Sequence, residues 1–270
     1  MSGSLEGKVA LVTGAARGQG RSHALRLAAE GAAVVAFDLC AEATTVGYEP
    51  ATEDDLTETV AQVEAAGGRI VPRVGDVRSQ ADLDAAVADA TSHFGRIDVV
   101  VANAGVSCWG RSWELDETVF QDVIDINLTG VWRTFKAAIP TLIDQGDGGS
   151  LIAISSVAGI KSLPAQAHYA ASKHGVVGLV KGVAIELGPH GIRANSIHPW
   201  GVETHMAHDH TLGSILKENR EYLVSFGQVL PEPKLAEASD ISDAVLYLAG
   251  DASRCVTGIQ LPVDMGSIIV

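Results

Sequence analysis

"TGAARGQG", residues 13–20, is the stretch whose reading decides the fold. It lies between an apolar run at 8–13 and a helical pattern from about 18 to 30 that stops at Gly31. Gly14, Gly18 and Gly20 therefore stand at a strand-to-helix turn. There a pyrophosphate must approach the backbone closely, and the helix offers free N–H groups and the positive end of its dipole. Ordinary tight turns also collect glycines, so the context carries the weight. The next apolar run, "AVVAFD", ends on Asp38, 18 residues beyond Gly20. A carboxylate about 20 residues past the last glycine is placed for the hydroxyls of an adenosine ribose. It accepts from those hydroxyls and repels a 2′-phosphate, so Asp38 favours NAD over NADP. Arg17, inside the turn, favours the phosphate, but Leu39 rather than a second basic residue follows the acid.

Outward from the turn the alternation continues. Apolar runs at 33–37, 70–77, 97–101, 151–155, 192–197 and 259–263 read as strands. Pro72 marks an edge position for the third strand. Helical patterns fill the intervals from Thr52 to the glycines at 67–68, over 79–94, 116–144 and 165–187, and onward from Ser239. Thr52 with Asp55, and Ser79 with Asp82, each predict a capping box. Continuous β-branched strands alternating with amphipathic helices mean a parallel sheet covered by helices on both faces. No linker, repeat or low-complexity segment divides the chain. Residues 1–270 are expected to form one doubly wound α/β domain, with a lid over the substrate at about 202–230.

One connection is out of proportion. In "DLCAEATTVGYEPAT", residues 39–51 belong to neither flanking element, whereas about 2–6 residues usually suffice. Asp38 anchors its start at the ribose, so this insert leaves from the edge of the cofactor site. It is expected to fold over the adenosine half, with Val46 and Tyr48 as apolar contacts, and to slow NAD release.

The totals narrow the partners. A net charge of −14 excludes nucleic acid and anionic membrane surfaces, which need a basic footprint. Cys40, Cys108 and Cys255 are too few and too scattered for a disulfide framework or a zinc knuckle. "MSGSLEGKVALVTG" carries no basic leader or apolar signal stretch. No run approaches the ~18 apolar residues that span a bilayer. A soluble, cytoplasmic protein is expected. "HMAHDH" brings His205, His208 and His210 beside Asp209, yet zinc needs converging ligands and a supporting shell. A solvated lid segment and no metal are expected.

The chemistry falls in the second half. The fifth strand runs into "AISSVAG", and "YAASK", Tyr169 to Lys173, begins thirteen residues beyond Ser156. Four residues apart on a helix, phenol and ammonium share one face. A free tyrosine titrates near pH ~10, and a nearby cation stabilises its phenolate, so Tyr169 can exchange a proton with an alcohol or carbonyl oxygen. Ser156 can hold that same oxygen by a hydrogen bond. Ile154 stands where a serine hydrolase elbow needs glycine, which removes that alternative.

With "TGAARGQG", "DV" at Asp76–Val77, "ANAG" at 102–105, "NLTG" at 127–130, the serine–tyrosine–lysine set and "VTGIQLPVDMG" near the end, the chain resembles the compact, single-domain branch of the short-chain dehydrogenase/reductase family over almost its whole length. That resemblance implies a seven-stranded Rossmann sheet of order 3-2-1-4-5-6-7 and hydride transfer at the nicotinamide. It implies Tyr169 as acid/base and Ser156 as the group orienting the substrate oxygen. Lys173 would bind the nicotinamide ribose and Asn127 would hold a relay water. Asp76 and Val77 would lie near the adenine, and Asn103, Ala104 and Gly105 along the adenosine half. Arg17 and Gln19 belong to the glycine turn, and Leu39 follows Asp38 at the ribose. Pro199, Val202 and Thr204 belong to the nicotinamide side. The family's Pro-Gly after strand six is here Pro199–Trp200, and Trp200 is bulky enough to shape the substrate space.

"AARGQGRSHA", the insert with "TVGY", "WELDE" and "HPWGVETHM" are further similar to the mycofactocin-associated, carveol-dehydrogenase-like group. That likeness implies NAD held so tightly that an external redox carrier reoxidises it, and a homotetramer formed through the helices at 116–144 and 165–187. The expected pocket wall is 107–113, the turn after Ser156, Leu163, Trp200 and the lid. Trp109, Trp113, Leu212, Ile215, Leu216, Tyr222 and Phe226 add apolar surface. Cys108 is expected to be a small buried apolar group. The substrate is therefore expected to be a hydrophobic secondary alcohol or its ketone, terpenoid or alicyclic. An NADPH-dependent keto reductase, resting on Arg17, and a non-catalytic dinucleotide-sensing protein are the alternatives.

Overall fold

The computed structural model describes residues 3–43, 46–209 and 211–270. Seven parallel strands form one sheet in the order β3-β2-β1-β4-β5-β6-β7. They are β1 (Val9–Thr13), β2 (Ala33–Asp38), β3 (Arg69–Val74), β4 (Val99–Ala102), β5 (Gly149–Ile154), β6 (Ile192–Pro199) and β7 (Gln260–Val263). The central strands are buried along their whole length, as continuous apolar runs require when helices cover both faces. One face packs Phe37, Leu83, Phe135, Leu142 and Val180; the other packs Leu27, Val34, Ile152, Ile197 and Leu248. Each such side chain removed from water stabilises the fold by about 1.5–3 kcal/mol.

Helices α1 (Gly18–Ala29), α2 (Glu53–Ala65), α3 (Gln80–Phe94), α4 (Glu117–Ile124), α5 (Gly130–Gln145), α6 (Ala167–Leu187), α7 (Thr211–Glu218) and α8 (Ala238–Ala249) complete the domain. The strand order reverses between β1 and β4, so the carboxyl ends of β1, β2 and β4 open a crevice at the switch point. Pro72 lies on β3, an edge strand, as its missing N–H requires.

Three local expectations are corrected. Thr52 and Asp55 make a reciprocal capping box on α2, but Ser79 and Asp82 do not make one on α3. Ser79 accepts the Asp82 N–H, while the Asp82 carboxylate takes the Asp76 N–H instead, tying down the loop after β3. The third strand stops at Val74, which frees Asp76 and Val77 to turn toward the crevice. The single helix expected over 116–144 is α4 and α5 joined by a π-turn, Asp125–Thr129, which contains Asn127. Among the described residues no helix is long and apolar enough to cross a membrane.

Candidate active site

The crevice begins at the glycine turn. Gly14 has φ +68° and Gly18 φ +55°, conformations glycine adopts without strain. A Cβ on Gly20 would stand 1.8 Å from the Gly14 carbonyl oxygen, so only glycine lets α1 start this close to β1. Asn103 straps the opposite wall to the turn: its Nδ2 donates to the carbonyls of Thr13 and Gly14 at 2.9 and 3.2 Å. Gly14, Arg17, Gly18, Gln19, Gly20, Asp38, Leu39, Asp76, Val77, Asn103, Ala104, Gly105 and Thr204 all line this groove. The buried Gln19 Oε1 has no partner among the described residues, which leaves an acceptor at the turn for a bound group.

Asp38 closes β2 at the groove floor. Its Oδ2 accepts the Ala16 N–H at 2.8 Å and its Oδ1 the Cys40 N–H at 3.1 Å, fixing the carboxylate while leaving lone pairs for ribose hydroxyls. Arg17, the one sequence argument for a 2′-phosphate, turns its guanidinium to the carbonyl of Glu49 in the insert. The residues present therefore suit an adenosine diphosphate with an unmodified ribose.

The insert reaches farther than expected. Val46 and Tyr48 line the groove, and the Tyr48 hydroxyl accepts the Ser107 N–H at 3.3 Å from the far wall. Gly47 packs on the lid, where a Cβ would meet Asp209 Oδ1 at 2.3 Å. Thr44 and Thr45 lie outside the described residues.

Ser156, Tyr169 and Lys173 meet at the end of β5 and the start of α6. Ser156 Oγ accepts the Ala158 N–H at 3.1 Å, and Ser156 and Tyr169 both face the substrate cavity. Lys173 is buried, donates from Nζ to the Ile154 carbonyl at 2.9 Å, and lies 5.6 Å from the centre of the Tyr169 ring. Burial pushes the phenol up to about 12, against the pull of Ser156 in the other direction, and pushes the ammonium down to about 8. Desolvation is the first cause for both groups and drives each toward its neutral form. Asn127 is fully buried, with Oδ1 accepting the Val106 N–H at 2.9 Å and Nδ2 donating to the Val106 carbonyl at 2.8 Å.

Two supports were not singled out from sequence. His198 Nδ1 donates to the Ser156 carbonyl at 2.6 Å and its Nε2 meets Ser196 Oγ at 2.9 Å. Burial lowers His198 to about 4, so it stays neutral. Gln166 donates to Ser107 Oγ at 2.9 Å across the pocket entrance. Neither residue belongs to a spacing pattern; only the tertiary fold brings it there.

Beside the triad opens a cavity of about 510 Å³, within the usual range for small-molecule sites. Trp109, Ser156, Leu163, Tyr169, Pro199, Trp200, Val202 and Thr204 line it, with Leu212 and Phe226 from the lid. Trp200, Phe226 and Trp109 form a tilted aromatic row with ring centres 6.1 and 6.0 Å apart. Trp200 Nε1 donates to Gln228 Oε1 at 3.2 Å. Trp113 is 75% exposed and takes no part. Ile215, Leu216 and Tyr222 are half-buried within the lid rather than on the cavity wall. Cys108 is buried with its Sγ 3.1 Å from His168 Nε2. The lid histidines diverge: His205 lines the groove, and His208 pairs with Glu203 at 2.8 Å. His210 lies outside the described residues.

A family model described as enoyl-(acyl carrier protein) reductase matches residues 14–267. An uncharacterised NAD-dependent oxidoreductase of Mycobacterium tuberculosis is 51% identical over 268 residues, 98% of each chain. The (-)-trans-carveol dehydrogenase of Rhodococcus erythropolis is 42% identical, covering 98% of this chain and 99% of that one. The crystal structure of carveol dehydrogenase from Mycobacterium avium in complex with NAD superposes with a TM-score of 0.94 at 44% identity, over 99% of this chain and 100% of that one. The glycine turn, the sheet order and these matches agree: the chain belongs to the short-chain dehydrogenase/reductase family. Within it, the protein is an NAD-dependent oxidoreductase.

Proposed function

We propose that the protein interconverts a hydrophobic secondary alcohol, alicyclic or terpenoid in the manner of carveol, with its ketone. The observation that carries this reading is Ser156 and Tyr169, with the buried Lys173 behind them, beside a cavity walled by Trp109, Leu163, Trp200 and Phe226. NAD, when bound, would supply the hydride acceptor. Ser156 holds the substrate oxygen against Tyr169, and Tyr169 takes its proton as the carbinol is oxidised. Lys173, fixed by the Ile154 carbonyl, holds the ribose and returns the proton toward solvent. Both ends of the Asn127 side chain are committed to Val106, so its main-chain carbonyl is the group that orders the relay water.

The insert at 39–51 acts as a strap. Tyr48 to Ser107, Arg17 to Glu49 and Gly47 against Asp209 tie it across the groove, which supports NAD held through many turnovers and reoxidised in place by an external carrier. The lid at about 202–230 covers the substrate. Exposed Phe120, Trp132 and Ile185 on α4, α5 and α6 support a homotetramer built on those helices. The three free cysteines suit the cytoplasm.

A panel of cyclic alcohols, assayed with an artificial electron acceptor and separately with added NAD, tests this. Dye-linked oxidation is expected from the protein as purified, falling at least a hundredfold in Tyr169→Phe with the bound nucleotide retained. Unchanged turnover in that variant refutes the mechanism, and NADP released on denaturation refutes the role of Asp38. A truncated insert that leaves the NAD off-rate unchanged refutes the strap.

A further inference from the structure

The cavity wall holds one charged group that the hydride reaction does not use. Asp209 lies in the lid just before α7 and is only 9% exposed, yet it lines the substrate cavity. Its Oδ1 accepts the Thr211 N–H at 2.8 Å and caps α7. Its Oδ2 is enclosed and has no hydrogen-bond partner among the described residues. Gly47 of the insert packs directly on this carboxylate, where a Cβ would stand 2.9 Å from Oδ2. A buried carboxylate oxygen without a donor is costly, and it is retained where a ligand completes it.

The other polar groups of the wall are engaged. Ser107 Oγ accepts from Gln166, and Gln228 bonds Trp200 and the carbonyls of Leu230 and Pro233. Lys161 is turned to the Ser267 carbonyl and the Trp200 ring, and Lys234 is exposed. The unpartnered Gln19 Oε1 lies at the glycine turn, where the substrate cavity meets the cofactor groove, and lines both. A donor on the substrate therefore has two unanswered acceptors among the described residues, Gln19 Oε1 at the cofactor end and Asp209 Oδ2 in the lid, of which only Asp209 carries a charge, beside apolar surface from Trp109, Leu163, Leu212, Phe226 and Pro231.

We propose that Asp209 is a specificity-determining residue whose Oδ2 accepts a hydrogen bond from a second hydroxyl on the alicyclic substrate, remote from the carbinol held by Ser156 and Tyr169. Its charge also rejects substrates that carry a carboxylate in that place. The proposal rests on the alcohol-oxidising reading above and narrows it to neutral, doubly hydroxylated rings.

The test uses the holoenzyme with its bound nucleotide and a dye acceptor, and compares cyclohexanol, the cyclohexane-1,3- and 1,4-diols and trans-4-hydroxycyclohexanecarboxylate. One diol is expected to exceed cyclohexanol in kcat/KM by about tenfold or more, the effect of one hydrogen bond to a charged group, with the hydroxycarboxylate poorest. Asp209→Leu is expected to erase the diol preference. Asp209→Asn keeps the cap on α7 and is expected to raise the hydroxycarboxylate about tenfold relative to cyclohexanol; it carries the test if the leucine variant fails to fold. Quenching of tryptophan fluorescence by diol and by cyclohexanol reads the same preference without turnover. Ratios that ignore Asp209 in both readouts overturn this inference alone. An Asp209-dependent binding ratio with no alcohol oxidised overturns the alcohol reading alone.

Discussion

Acidification should destabilise this protein through two histidines that stay neutral in the folded state well below the pH at which they charge in the unfolded chain. His23, on α1, is fully buried against α8 with Nδ1 2.8 Å from Ser242 Oγ. Burial lowers it to about 3. His198, under Ser156, is lowered to about 4 by burial as well. The unfolded chain binds a proton at each near pH ~6.5. Between that value and the folded ones the unfolded state holds more protons, so stability is present above pH ~6.5 and is lost as pH falls toward 4 and then 3. From pH 7 to pH 5 the loss is about 2 kcal/mol per histidine, roughly 4 for the pair, a large part of an ordinary domain's stability. Urea unfolding followed by circular dichroism at pH 7, 6 and 5, at fixed protein and NAD concentration, measures it. His23→Gln keeps a polar partner for Ser242 and cannot titrate, so its unfolding free energy should fall about 2 kcal/mol less than wild type over that interval. Carboxylates such as Glu30, held down to about 2 by Ser4 and Arg26, titrate alike in both proteins and cancel. Parallel pH dependences in the two proteins would refute the argument.

Other perturbations reach the site directly. Gly20→Ala drives a Cβ into the Gly14 carbonyl, and NAD affinity, read by fluorescence titration, should fall at least about tenfold. His198→Phe leaves the Ser156 carbonyl unanswered; kcat should drop roughly tenfold or more, with NAD binding unaltered in the same titration. Trp200→Gly removes one end of the aromatic row, so kcat/KM should fall for cyclohexanol and rise for bicyclic alcohols. An unchanged preference would show that Trp200 is not the cavity's limiting wall.

Much of the fold was legible because it is written in local signals. Parallel strands buried on both faces are continuous apolar runs, and β1 running into three glycines with Asp38 closing β2 leaves few alternatives. Tyr169 and Lys173 were legible because a helix fixes residues four apart on one face. The misses share a cause: competition among several partners that a spacing pattern does not rank. Asp82 chose the Asp76 N–H over Ser79, and Arg17 chose the Glu49 carbonyl over solvent. The π-turn around Asn127 has no periodic signature of its own. The lid contributes Met206, Ala207, Asp209 and Gln228 to the cavity, and nothing in their spacing separates them from Ile215 or Tyr222, which stay within the lid.

Pro72 on β3 has a consequence for the protein in crowded solution. A parallel sheet that ends on an open strand is a template on which other chains can stack, and the hazard grows with concentration. At Pro72 that edge has no N–H to offer, and Arg69 and Arg73 flank it, the latter paired with Asp89. A second copy approaching the β3 edge meets a missing donor and charged side chains, which disfavours pairing on that side of the sheet.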